Sequence, residues 1–161
     1  MSDAIATIAL AGNPNAGKTT LFNALTGSRQ HVGNYPGITV EKKEGYVDRP
    51  EGVVRVVDLP GTYSLTAYSQ EELVARDFLI HERPQAVINV LDATSLERNL
   101  YLTVQFLELG IPVTLALNMV DGLEAKGLRV DEARLAELMG LPVVRAVARS
   151  GIGVREALQA A

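Results

Sequence analysis

The chain alternates between short apolar runs and stretches whose apolar residues recur at helical spacing. Residues 4–11, 86–92, 112–118 and 143–147 are mostly apolar with no in–out alternation, which predicts strands buried on both faces of a parallel sheet. Residues 18–26 carry Leu21, Phe22 and Leu25 on one helical face, and residues 71–81 carry Leu73, Val74, Phe78 and Leu79. Residues 96–109 and 131–139 show the same period. Gly27, Pro84, Gly110 and Gly140 stop these helices, and Asp131 offers a cap for the last. A final helix begins over 154–159.

Two segments break the rhythm. Residues 41–48 and 53–58 are strand-like and joined by Arg49-Pro50-Glu51-Gly52, which predicts a hairpin and so one antiparallel strand at the sheet edge. Residues 28–40 have no period and hold Gly33, Asn34, Pro36 and Gly37, which predicts a long mobile loop. Residues 62–70 are a polar loop. The expectation is one α/β domain over 1–161, with a mainly parallel six-stranded sheet, one antiparallel edge strand and helices on both faces. Ligands of such folds bind at the carboxyl ends of the strands.

Composition narrows the function. A balance of 15 basic to 19 acidic residues (net −4) with no basic patch gives no support for nucleic-acid binding. The absence of cysteine excludes disulfides and thiolate metal sites and fits a reducing compartment. No uncharged apolar run is long enough to span a bilayer, and Met1-Ser2-Asp3 lacks the basic start of a signal peptide. His31 and His81 are far apart in sequence, so neither is assigned to a metal site.

The chemistry centres on Gly12-Asn13-Pro14-Asn15-Ala16-Gly17-Lys18-Thr19, which fits G-x-x-x-x-G-K-[ST] between a strand and a helix. Such a loop turns backbone N–H groups toward a polyphosphate, and the following helix points its positive end at it. Lys18 is placed to reach the β- and γ-phosphates and the Thr19 hydroxyl to ligate Mg²⁺. Asp58-Leu59-Pro60-Gly61 ends a strand 40 residues after Lys18; Asp58 can hold Mg²⁺ through a water, and the Gly61 N–H can sense a γ-phosphate. Asn118 and Asp121 give N-x-x-D. An Asp accepts from the donor pair of guanine, which adenine lacks, so an ATPase is disfavoured, and Asn118 is expected to brace against the phosphate loop. Thr39 is the candidate second hydroxyl on Mg²⁺, formed only with a γ-phosphate, which would make 28–40 a switch.

In this order the elements resemble a small G domain of the translation-factor class. Val32-Gly33-Asn34-Tyr35-Pro36-Gly37-Ile38-Thr39-Val40-Glu41-Lys42-Lys43-Glu44-Gly45, together with the phosphate loop and Asp58–Leu65, resembles more narrowly the N-terminal G domain of the bacterial ferrous iron transport protein B family. The likeness covers essentially the whole chain; that family usually has Trp where Tyr35 stands. It implies a nucleotide set of Gly12 through Lys18, Thr19, Thr20, Gly37, Ile38, Thr39, Asp58, Leu59, Pro60, Gly61, Asn118, Met119, Asp121, Val147, Ala148 and Arg149. It also implies GTP and GDP as ligands, and a helical spacer and a membrane permease domain as partners on the cytoplasmic face of the cell membrane. This fragment alone is expected to be soluble, with oligomers open. Resemblance to potassium-stimulated G proteins implies K⁺ held by Asn15 and the carbonyls of Gly33 and Tyr35.

Three departures shape the expected chemistry. Thr62 follows Gly61, where Ras-like proteins place a water-orienting Gln, and no switch arginine is an evident finger, Arg29 being the nearest candidate; slow turnover is expected. Glu71 and Glu72 are read as complements of a helix dipole. Met119 replaces the usual Lys, and Val147-Ala148-Arg149 lacks the usual Ser, so the base is expected to be held weakly. The leading reading is a Mg²⁺-dependent, K⁺-stimulated GTPase with Lys18, Asn15 and Gly61 in catalysis. Its rivals are a slow GTP/GDP-sensing module and a ribosome-associated GTPase, the last lacking any basic surface.

Overall fold

The computed structural model describes residues 6–66 and 68–146. The strands are β1 (Ala6–Gly12), β2 (Gln30–Asn34), β3 (Glu41–Arg49), β4 (Gly52–Asp58), β5 (Ala86–Asp92), β6 (Val113–Asn118) and β7 (Val143–Arg145). The helices are α1 (Lys18–Thr26), α2 (Gln70–His81), α3 (Leu96–Glu108), α4 (Val120–Ala125) and α5 (Glu132–Met139). The strands form a seven-stranded sheet in the order β2-β3-β4-β1-β5-β6-β7.

The uniform apolarity of the central strands follows from the two layers they serve. In β1, Ile8 and Leu10 pack with Leu21 and Phe22 of α1, while Ala9 and Ala11 face the cluster holding Phe78 of α2 and Phe106 of α3. Both faces are covered, so polar alternation has no place to appear. Pairing of β1 with β4 and β5, β5 with β6, and β6 with β7 is parallel. β1, β4 and β6 therefore end on one side, at Gly12, Asp58 and Asn118.

The structure corrects the expected edge. Within 28–40, Gln30–Asn34 is a strand rather than mobile loop, antiparallel to β3 from Gln30↔Gly45 to Asn34↔Glu41. The sheet thus has seven strands and not six. β3 is the antiparallel strand, as expected, but β2 covers it and takes the edge. β2 is nearly all exposed and polar, so it carries no burial pattern; its register comes from the ladder and from Gln30 Nε2, which donates to Asn23 Oδ1 (2.9 Å) and the Gly27 carbonyl (3.0 Å). Gly45 is required beneath it, because a Cβ there would come 2.6 Å from Thr26 Cγ2 and 2.7 Å from the Arg29 carbonyl. The short helix α4 also goes beyond expectation. The helix expected at 154–159, and Val147, Ala148 and Arg149, lie outside the described residues.

Candidate nucleotide site

β1 delivers the chain into a loop whose backbone is left-handed at Asn15 (φ 69°) and Gly17 (φ 96°) before α1 begins at Lys18. A cavity of about 490 Å³ is lined by Asn13, Pro14, Asn15, Gly17, Lys18, Thr19, Thr20, Gly61 and Met119. The phosphate loop, the start of α1, the glycine after β4 and the residue after β6 thus converge, as the strand ends require.

Lys18 and Asp58 are both buried, and Lys18 Nζ donates to Asp58 Oδ1. Burial pushes the Asp58 carboxyl above its ordinary range, and the Lys18 ammonium opposes that shift. The buried Lys18 ammonium and the exposed Thr19 line this cavity, and the Asp58 carboxylate lies directly behind Lys18; that donor set suits a polyphosphate carried with a divalent cation, so these residues fit Mg²⁺.

Asn118 braces the phosphate loop: its Nδ2 donates to the Ala16 carbonyl at 3.0 Å across 102 residues of sequence. Gly17 permits this approach, since a Cβ there would overlap Asn118 Nδ2 and lie 3.3 Å from its Cγ. Met119 takes a left-handed backbone (φ 61°), and Asp121 sits exposed in the first turn of α4. Gly61 packs on the loop from the other side, where a Cβ would meet Pro14 Cα at 3.1 Å, and the Thr62 N–H donates to the Gly12 carbonyl at 3.0 Å. Thr62 is buried, so its side chain is poorly placed to orient water.

The segment 28–40 stands apart from that cavity. Thr39 and Gly37 are exposed and Ile38 is half-buried. Gly33 is paired with Lys42 in the ladder, and the Tyr35 carbonyl accepts from Ile38 N at 3.3 Å. The structure brings neither Gly33 nor Tyr35 to the cavity wall beside Asn15. The Tyr35 ring lies under Lys42 Nζ (5.7 Å), with its hydroxyl buried and without a hydrogen-bond partner among the described residues; burial, and then the Asp58 charge, push that hydroxyl up to about 12. Arg29 is committed to Asp48 at 2.7 Å.

The polar loop 62–70 holds contacts that were not expected from the sequence. Ser69 caps α2, its Oγ accepting from Glu72 N at 3.1 Å. Glu72 also accepts from Ser64 Oγ (2.7 Å) and Thr66 Oγ1 (2.8 Å), and these bonds, Ser64 first, hold its carboxyl below the usual range. The Ser69-x-x-Glu72 spacing is a capping-box signal visible in sequence. The Arg98 guanidinium over the Tyr63 ring (4.5 Å) and the buried, unpartnered Asn13 Oδ1 have no such signal.

Sheet order, phosphate loop and base motif together make this a G domain of the P-loop NTPase class. The profile described as Ferrous iron transport protein B matches residues 6–161, and the chain belongs to that family. It is 52% identical over 159 residues to the Fe(2+) transporter FeoB of Escherichia coli K12, covering 96% of this chain and 20% of that protein. The chain spans about a fifth of the length of the curated relatives it matches. Among solved structures, a mutant NFeoB of S. thermophilus bound to GDP superposes with a TM-score of 0.92 at 49% identity, covering 98% of this chain and 61% of that one. The FeoB G domain of Methanococcus jannaschii does so at 0.85 and 46%, covering 96% and 94%.

Proposed function

We propose that this chain binds GTP and GDP and hydrolyses GTP, as a single domain that regulates ferrous iron uptake by a longer membrane protein. The observation that carries this reading is the Asn118–Ala16 hydrogen bond, which ties base recognition to phosphate recognition in one rigid unit. The GDP bound to the S. thermophilus relative and the transporter name of the E. coli relative support it. Among the described residues no helix is long and apolar enough to cross a membrane. The transporter name of the E. coli relative supports a place for the domain on the cytoplasmic face, joined to a helical spacer and a permease domain.

In the proposed reaction, water attacks the γ-phosphorus and the bond to the β-phosphate oxygen breaks, giving GDP and phosphate. Lys18 exchanges Asp58 for the β- and γ-phosphates, Gly61 offers its N–H to the γ-phosphate, and Asp121 holds the guanine. Thr19, and Asp58 through a water, would hold Mg²⁺, and Asn15 would hold K⁺; Thr39 and the Gly33 and Tyr35 carbonyls, which stand away from the cavity here, would complete these shells only after residues 28–40 rearrange, and the cations would neutralise charge developing on the phosphates. Burial of Thr62 favours a second reading, in which turnover is slow and the bound state itself is the signal.

The test is GTP hydrolysis in K⁺ against Na⁺ at matched ionic strength, with Asn15→Ala and Asn15→Gly alongside. The glycine variant keeps the left-handed backbone unstrained while deleting the amide. K⁺ stimulation lost in both variants supports the enzyme reading. Equal slow rates in both salts support the sensing module.

A further inference from the structure

A smaller cavity of about 190 Å³ adjoins the phosphate loop, with Asn13, Asn15, Tyr63, Asp92, Arg98 and Asn99 among its lining residues. Asn13 is 4% exposed, and its Oδ1 has no hydrogen-bond donor among the described residues. A buried carboxamide oxygen of this kind calls for a donor. Arg98 lines the same space and makes no ion pair among the described residues; its guanidinium rests on the half-exposed Tyr63 ring, 4.5 Å from the centroid. A cation–π contact at an exposed site is weak, and a guanidinium has donors to spare beyond it. Asp92 also lines this space, its Oδ1 accepting from Thr94 N (2.9 Å) and Thr94 Oγ1 (2.6 Å). Tyr63 lies two residues after Gly61, which lines the phosphate-loop cavity, so it belongs to the segment next to the proposed γ-phosphate position.

We propose that Arg98 is a positioning residue with two stations: on the Tyr63 ring as described here, and within the 190 Å³ cavity, donating to Asn13 Oδ1, once the Tyr63 side chain moves off the guanidinium in the triphosphate-bound state. In the second station it stiffens the phosphate loop beneath Asn15 and sets how firmly Asn15 is presented. The sheet side of the domain and its switch side are thereby joined through α3, which carries Arg98. This inference deepens the nucleotide reading above and rests on it.

The experiment follows the Asn13 side-chain amide signals by NMR in the 161-residue chain with GDP and with a non-hydrolysable GTP analogue. The wild type should show an Asn13 shift between the two states. Arg98→Met, which keeps the stem and removes the donors, should abolish it, and Arg98→Lys should keep part of it. Tyr63→Ala should give analogue-like Asn13 signals already with GDP. In hydrolysis, Arg98→Met should raise the half-stimulating K⁺ about tenfold and leave KM for GTP within about twofold. The Tyr63→Ala/Arg98→Met double variant should follow Arg98→Met. Identical Asn13 signals in wild type and Arg98→Met in both states, or simply additive effects of the two changes, overturn the proposal. A chain that binds the analogue but ignores K⁺ overturns the potassium reading alone, and the Asn13 signals still decide the role of Arg98. A chain that binds neither nucleotide overturns both.

Discussion

Replacing Gly17 by Ala strikes the point where the phosphate loop and the base motif meet. Gly17 has φ 96° and ψ 15°, so an L residue there carries left-handed strain of about 1–2 kcal/mol. Its Cβ would also displace Asn118 Nδ2 from the Ala16 carbonyl, which it bonds at 3.0 Å. Losing a buried hydrogen bond adds about 1–3 kcal/mol. The sum is about 2–5 kcal/mol, or roughly 4–20 °C in the unfolding midpoint of a chain of this size. Gly140→Ala is the matched control: the backbone is again left-handed (φ 69°, ψ 29°), but nothing lies within 4 Å of the added Cβ. It should lose only the strain, roughly 2–8 °C. Thermal unfolding followed by circular dichroism reads both, and dissociation of a fluorescent GDP should be faster in Gly17→Ala alone. If the two variants melt together, Asn118 does not brace the loop and the proposed link between base and phosphate sites fails.

Other outcomes follow from neighbouring contacts. Asp121→Asn should turn guanine preference toward xanthine by about a hundredfold or more, read by competition binding; retained guanine selectivity would remove Asp121 from base recognition. Glu72 has a lowered pKa, so its hydrogen-bonded carboxylate stabilises the folded state at neutral pH and this contribution fades as pH falls through that lowered value. Ser64→Ala should move the Glu72 titration midpoint upward by NMR, and an unmoved midpoint would mean that the 2.7 Å bond is not what holds it. Phe106→Ala, at a side chain 1% exposed in the larger core cluster, should destabilise by about 3–5 kcal/mol in urea unfolding; a loss under about 1 kcal/mol would show that α3 is not anchored there.

Local chemistry determined a great deal from sequence alone. The helix at 18–26 and the strand at 86–92 have the bounds that spacing predicts, because each is closed by its own neighbours: Gly17 and Gly27 around the helix, Pro84 and Asp92 around the strand. Asp131 caps α5, accepting from Arg134 N at 3.0 Å, and Gly140 ends it with a left-handed backbone. The strand-end positions of the phosphate loop, Asp58 and Asn118 were legible because each motif needs particular residue types beside a strand end. The tertiary structure alone decided the edge. Gln30–Asn34 is a strand only because β3 supplies a ladder, and an exposed strand whose energy lies in backbone hydrogen bonds leaves no side-chain pattern to find. It alone also decided that Lys18 meets Asp58, that Arg98 covers Tyr63, and that Asn13 Oδ1 is buried without a donor. These are relations between residues 35 or more positions apart, or between a side chain and the cavity around it. Sequence specifies which groups are present; only the packed sheet brings their distances within reach of a hydrogen bond or a charge.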